Sequence, residues 1–395
     1  TVVGGGAMHM NDSFGHHERL QCVYNHHEQA SAMAAEAYFR VNNEMAGLCV
    51  TSGPGAINAL NGVAGAYQDS IPMIVVSGQT KTSLMTINSG LDLRTLGNQE
   101  FDIMSALSKM TKYAETLMNP TNVRYMLEKA FYLAKNGRPG PCWIEVPLDI
   151  QGAFVETENL VGYDIVQNND GANVDENGEL ERKIRIVIDK IKDAKRPVIY
   201  AGNGVRISGA QDELIKLASA VEIPVVTCWD SIDLMETDSK YYVGRAGTMG
   251  NRPGNFAVQN SDLVIAIGNR LNIYQVGYQL ESWAREAYII DVDIDELELQ
   301  KKTIRVDLPI CADATIFIKL LNIIADEKVK YSNPKEWLEI CKNWKLQYPV
   351  VTKKHYENRK PLNVYAFIDS FSRSLPENMI TVVTNGSASV VGSAA

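Results

Sequence analysis

The feature that most limits what this chain can become is a repeated alternation of short, almost wholly apolar runs with amphipathic stretches of helical length. Residues 46–50, 73–77 and 142–146 are apolar at nearly every position, as strands must be when both faces of a sheet are covered. Around them, 28–41, 56–67 and 121–135 carry the apolar spacing of helices. Strand-like runs recur at 197–201, 224–228, 263–268 and 287–293. Strand, helix and strand in that order require crossover connections and parallel pairing. The expectation is an α/β protein with two successive doubly wound parallel-sheet domains and the start of a third.

At 395 residues the chain exceeds what one core usually organises. The first domain is expected over 1–156, a polar linker rich in Asn, Asp and Glu over 157–181, and a central α/β domain over 182–330. Residues 331–395 read as a connector and the start of a further, truncated unit. Within it, 333–359 is charged, aromatic and helical in character, and 380–384 resembles a first strand. The opening Thr1-Val2-Val3-Gly4 looks like the end of a strand, so further residues are expected on both sides.

No run approaches the roughly 18 apolar residues of a membrane span. A net charge of -9 and a pI near 5.3 disfavour a nucleic-acid partner, which calls for a basic face. A small-molecule partner is expected, with no nucleic acid and no membrane. The six cysteines are scattered, with no CxxC pair, and read as buried thiols of a reducing, cytoplasmic compartment.

Glu28 lies in Asn25-His26-His27-Glu28-Gln29-Ala30, where a strand-like run at 20–24 gives way to an alanine-rich helix. The helix macrodipole alone explains an acid at such a place. Two further segments follow strands, Thr51-Ser52-Gly53-Pro54-Gly55-Ala56 and Ser77-Gly78-Gln79, and loops beyond the carboxyl ends of parallel strands are where ligands bind. Gly53 and Gly55 permit close approach of backbone amides and Pro54 stiffens the turn, although such a turn also serves as simple strand-to-helix punctuation. The histidines His16, His17, His26 and His27 cluster in sequence. Adjacent positions point apart and no acid-histidine helical spacing accompanies them, so no metal site is read from them.

Taken in order, Gly4-Gly5-Gly6-Ala7, His26-His27-Glu28-Gln29, Thr51-Ser52-Gly53-Pro54-Gly55, Asn58-Ala59, Asp69-Ser70-Ile71-Pro72, Ser77-Gly78-Gln79, Asn98-Gln99-Glu100 and Gly137-Arg138-Pro139-Gly140-Pro141 resemble the pyrimidine-binding domain of the acetolactate synthase-like thiamine diphosphate enzymes. The resemblance covers about the first 150 residues densely and continues more loosely to Asp313. It implies decarboxylation of a pyruvate-type 2-oxo acid followed by carboligation. It makes Glu28 the carboxylate that bonds N1′ of the aminopyrimidine and so activates the cofactor. Desolvation would strengthen that hydrogen bond. Gln99 would line the substrate side, and Gly5, Gly6, Thr51, Gly53, Pro54, Gly55, Asn58 and Gln79 would surround the cofactor. The family pattern also implies a homodimer or homotetramer with the active site between subunits.

Two departures stand out. The family holds Mg2+ and the cofactor diphosphate with a Gly-Asp-Gly motif and a later Asn in a C-terminal domain, and neither that motif nor a metal-ligand set is found here, so those ligands are expected in a missing domain. In the central domain, Gly202, Gly204, Gly250, Gly268 and Arg270 fit a FAD-type site. The family's Arg-Phe-Asp-Asp-Arg run is instead Arg270-Leu271-Asn272-Ile273-Tyr274, and Met249 stands where a histidine is usual, which leaves FAD open. Tyr274 cannot supply the bidentate grip of the second arginine on an acceptor carboxylate. That points to a different aldehyde or ketone acceptor. The competing reading is a non-catalytic nucleotide-binding or assembly subunit that lacks the diphosphate site.

Overall fold

The computed structural model describes residues 1–166, 178–328, 335–357 and 360–394. The chain divides into two compact units, Thr1–Val174 and Asp175–Ala395.

In the first unit, β1 (Ala46–Val50), β2 (Met73–Gln79), β3 (Tyr113–Thr116) and β4 (Pro141–Pro147) form one sheet in the order β1-β2-β4-β3, with every pair parallel. All seven residues of β4 are buried, which is why its sequence reads as a near-continuous apolar run, broken by Glu145, and not as an alternation. The helix Val123–Lys135 covers one face, its Met126, Ala130 and Ala134 packing on Ile74, Cys142 and Ile144. The helices Glu28–Asn42 and Pro54–Gln68 pack on each other so closely that a Cβ on Gly62 would lie 2.6 Å from that of Ala32. Parallel pairing brings the loops that follow β1, β2 and β4 to one sheet edge.

In the second unit, β5 (Pro197–Ala201), β6 (Val225–Thr227), β7 (Tyr242–Arg245), β8 (Leu263–Ile267), β9 (Tyr288–Asp293) and β10 (Leu308–Cys311) form a six-stranded parallel sheet in the order β10-β9-β8-β5-β6-β7. This is the doubly wound dinucleotide-domain order, with its switch point between β5 and β8. One face is covered by Glu179–Asp193, Gln211–Val221 and Ala314–Lys328 and the other by Arg252–Gln259 and Lys335–Gln347. No helix among the described residues is long and apolar enough to cross a membrane.

Several expectations are corrected. Residues 380–384 form no strand: Ile380 is 62 % and Val382 90 % exposed, and no described strand lies alongside to bond them. Residues 20–24 and the opening Thr1-Val2-Val3-Gly4 are likewise irregular. Asn25 N–H donates to the Thr1 carbonyl and Val2 N–H to that of Cys49, contacts too few to make a ladder. Three short strands, β3, β7 and β10, were not legible. The stretch read as linker, 157–181, opens with a turn at Thr157–Asn159 and ends inside the helix Glu179–Asp193, while 167–177 lie outside the described residues. All six cysteines are free thiols; Cys49, Cys142, Cys228 and Cys341 are buried, and Cys22 and Cys311 are partly exposed.

Candidate active site

The carboxyl edge of the first sheet is organised around the turn that follows β1. Glu28 is the first residue of its helix, which His27 caps by accepting the Gln29 N–H at Nδ1, 3.1 Å away. The histidine that invites a metal reading is thus a helix cap. The Glu28 carboxylate is buried, 8 % exposed, although it stands at the head of a surface helix. One of its oxygens accepts from Asn58 Nδ2 at 3.0 Å. The other faces Gly55, where a Cβ would sit 3.2 Å from it. A residue larger than glycine there would crowd the carboxylate and fill the space beside it.

Gly53 ties the same turn to a second loop. Its φ of 54° lies in the region that disfavours L side chains, and a Cβ would fall 2.0 Å from the carbonyl oxygen of Gln99. Gln99 itself has a φ of 55°, and its side chain is exposed. The turn therefore touches Glu28 through Gly55 and the Gln99 loop through Gly53, with Pro54 beginning the helix that carries Asn58.

The glycine loop at the start of the chain lies over this edge. Gly6 N–H donates to Thr51 Oγ1 at 3.0 Å, Gln151 Nε2 donates to the Gly6 carbonyl at 2.7 Å, and a Cβ on Gly78 would lie 1.9 Å from that carbonyl. Gly5 has open space beyond it and borders a cavity of about 670 Å³ with Met8, Asn11 and Tyr24.

Of the residues singled out in the sequence, Glu28, Gly53, Pro54, Gly55, Asn58, Gln99, Gly5 and Gly6 meet along this edge. Thr51 and Gln79 are there too, but their polar groups serve the protein. The Thr51 hydroxyl accepts from Gly6. Gln79, 2 % exposed, donates to the Phe101 carbonyl at 3.0 Å and to Glu145 at 2.9 Å and accepts from Thr80 N–H. Glu145 was missed. Its signal was a lone acid in the otherwise apolar run of β4, a position where an ionisable side chain must find buried partners.

The switch point of the second sheet is built differently. Gly202 N–H donates to the Ile267 carbonyl and Gly204 N–H to that of Gly268, each at 2.9 Å. Gly268 has a φ of 55°, and a Cβ on it would meet the Gly204 Cα at 2.7 Å, so these glycines fit the two switch-point loops against each other. A Cβ on Gly250 would strike the Arg245 carbonyl. Arg270 follows β8, and its carbonyl accepts from Lys301. Close by in sequence, Asn269 is buried beside the Tyr200 hydroxyl, and Asp291 Oδ1 on β9 is buried without a hydrogen-bond partner. Burial, with the neighbouring charge of Asp293, pushes the Asp291 carboxyl up to about 8. Tyr274 is exposed, and its carbonyl accepts from Thr248 N–H at 2.7 Å.

Two successive parallel α/β sheets, one with a buried glutamate at its carboxyl edge and one with a glycine-packed dinucleotide-type switch point, define a modular cofactor-binding class. The family model for the thiamine pyrophosphate enzyme N-terminal TPP-binding domain matches residues 1–106, and that for the thiamine pyrophosphate enzyme central domain matches 184–321, together more than half of the chain. The chain belongs to the thiamine pyrophosphate enzyme family. A probable acetolactate synthase large subunit of Methanococcus aeolicus is 34% identical over 356 residues, covering 85% of this chain and 55% of that protein. The acetolactate synthase large subunit of Cyanidium caldarium is 32% identical over 355 residues, 88% of this chain and 58% of its own length. The isozyme 3 large subunit of Escherichia coli is 28% identical over 366 residues, covering 91% and 61%. The chain thus spans little more than half the length of these relatives.

Proposed function

We propose that the chain supplies the pyrimidine-side half of a thiamine diphosphate active site in an acetolactate synthase-like enzyme, which decarboxylates a pyruvate-type 2-oxo acid and transfers the remaining acyl unit to a carbonyl acceptor. The observation that carries this reading is the buried Glu28 carboxylate, held by Asn58 on one oxygen and left room by Gly55 on the other. When bound, thiamine diphosphate supplies a carbon nucleophile for the donor carbonyl and a sink for the electrons released with carbon dioxide. Glu28 is assigned to the proton at N1′ of the aminopyrimidine, in a setting from which competing water is largely excluded. Asn58 fixes the orientation of that carboxylate. Gln99 is assigned to the substrate side, and the Gly5-Gly6 backbone to the same space.

Magnesium is part of this reading through the diphosphate. Among the described residues no group of three or more His, Cys, Asp or Glu side chains is placed to hold a metal ion, and none is assigned to it. In the second unit the unpartnered Asp291 oxygen fits a nucleotide-type group, and FAD is the candidate occupant; flavin absorbance of the purified protein decides it. Tyr274, in place of an arginine, favours an acceptor other than a second 2-oxo acid, for example a sugar-derived carbonyl. Equal conversion of paired pyruvates to acetolactate would overturn that choice.

The exposed Met33, Tyr38, Val41 and Ile57 support assembly into a homodimer or homotetramer, and the free thiols a cytoplasmic setting. The test of the function is calorimetric titration of the full-length protein with thiamine diphosphate and Mg2+, followed by pyruvate consumption on the same sample. Magnesium-dependent binding with turnover supports the enzyme. Absence of binding by a folded, dimeric protein would support the non-catalytic alternative.

A further inference from the structure

Glu145 and Gln79 form a buried unit that the site reading above does not use. Glu145 is 3 % exposed, and the strand alternation turns it away from the face covered by the helix Val123–Lys135. Both of its oxygens are engaged by neutral donors, Oε1 by Gln79 Nε2 at 2.9 Å and Oε2 by Thr116 Oγ1 at 2.8 Å. The Gln79 amide donates at the same time to the Phe101 carbonyl, two residues beyond Gln99. Thr80, whose N–H donates to Gln79 Oε1, packs where a Cβ on Gly97 would lie 2.4 Å from its hydroxyl. The loop of residues 96–101 is closed on its other side by Glu100, which accepts from Leu96 N–H, Gly97 N–H and the Thr86 hydroxyl.

We propose that Glu145 is a positioning residue: acting through Gln79, it holds the 96–101 loop so that Gln99 rests on the Gly53 turn beside Glu28. The role rests on the reading of that edge as the thiamine diphosphate site. Burial, joined by the like charges of Asp102 and Glu100, pushes the Glu145 carboxyl up to about 7. The other ionisable groups on the packed elements are occupied elsewhere: Asp149 by Thr82, Glu115 by Tyr113, and Asp102 also by the Ser105 N–H it caps. β2 carries no acid or base, and the helix Pro54–Gln68 none but Tyr67. Near neutral pH the carboxyl therefore passes from neutral to charged, and the charged form accepts more strongly from Gln79. The loop is held more firmly as pH rises through 7.

The experiment is hydrogen–deuterium exchange of residues 96–101 between pH 6 and 8, as protection factors, in the parent protein, Glu145→Gln and Gln79→Ala. Glu145→Gln keeps an acceptor for Gln79 and a partner for Thr116 but cannot titrate. Protection in the parent is expected to rise several-fold across this range, to be flat in Glu145→Gln and to be low throughout in Gln79→Ala. In turnover, the kcat/KM profile of the parent should carry an inflection near pH 7 that Glu145→Gln lacks. Identical protection in the parent and a folded Glu145→Gln at every pH would overturn the proposal. PH-linked protection in a protein that neither binds thiamine diphosphate nor consumes pyruvate would keep the brace and sink the functional reading alone.

Discussion

The two sheets treat buried polar groups at their carboxyl edges differently. In the first, most of these groups are spent on one another, Glu28 on Asn58, Glu145 on Gln79 and Thr116, and the Trp143 indole on Ser77, while Gln151 Oε1 is buried without a hydrogen-bond partner. In the second, Arg245 Nε and Asp291 Oδ1 are buried without hydrogen-bond partners, and the switch-point glycines are packed against backbone. An unsatisfied buried polar group costs about 1–3 kcal/mol. The first edge is therefore largely organised in advance, with gain from a ligand left at Glu28 and Gln151 Oε1, whereas the second carries at Arg245 and Asp291 an energetic debt that a bound polar group would relieve.

The largest test of this contrast is Asp291→Asn. A carboxyl raised from 3.8 to about 8 binds its proton more tightly in the folded than in the unfolded state, so it lowers folding stability progressively as pH rises from about 4 to 8. Asparagine removes that penalty. The variant should be more stable than the parent by on the order of 4 kcal/mol at pH 7 and nearly equal to it near pH 4, measured by urea unfolding. An unchanged difference across this range would break the contrast. Gly53→Ala comes next, with an expected loss of about 3 kcal/mol, because the added Cβ meets the Gln99 carbonyl in a left-handed backbone. A thermal melt unchanged by it would mean that the Gln99 loop is not seated on the turn.

For Glu145→Gln the same sign applies with a smaller shift. Stability relative to the parent should grow from pH 4.5 to 7 by up to about 3 kcal/mol, without the release of an orphaned oxygen. The smallest effect is that of Asn58→Ala, about 1 kcal/mol in stability together with a few-fold weaker hold on thiamine diphosphate by calorimetry. A larger loss would show that the first edge is less self-sufficient than the second.

Much of this organisation was legible in the sequence because buried parallel strands announce themselves as apolar runs: β1 falls at 46–50 and β5 at 197–201, as the pattern requires. The helix that begins at Glu28 was legible from its alanine-rich run with an acid at its head. The short strands were not. Tyr-Ala-Glu-Thr in β3 and Leu-Pro-Ile-Cys in β10 are four residues each, and their pairing is decided by neighbours distant in sequence. The opposite error occurred at 380–384, where β propensity is present and no partner strand lies alongside among the described residues. At the site, the residue types were readable but not their allegiances. Thr51, Asn58 and Gln79 are as able to bond a ligand as a neighbour, and only the fold assigns their hydrogen bonds to Gly6, Glu28 and Glu145.

The measurement that bears most directly on the functional claim is pyruvate consumption by Glu28→Gln beside the parent protein, both saturated with thiamine diphosphate and Mg2+. The amide keeps the shape and the Asn58 contact but gives up the carboxylate at N1′. Glu28→Gln should fold, bind the cofactor within a few-fold of the parent, and consume pyruvate at least about 100-fold more slowly. Consumption at the parental rate would contradict the role assigned to Glu28 and, with it, the account of this edge as the activating half of the site.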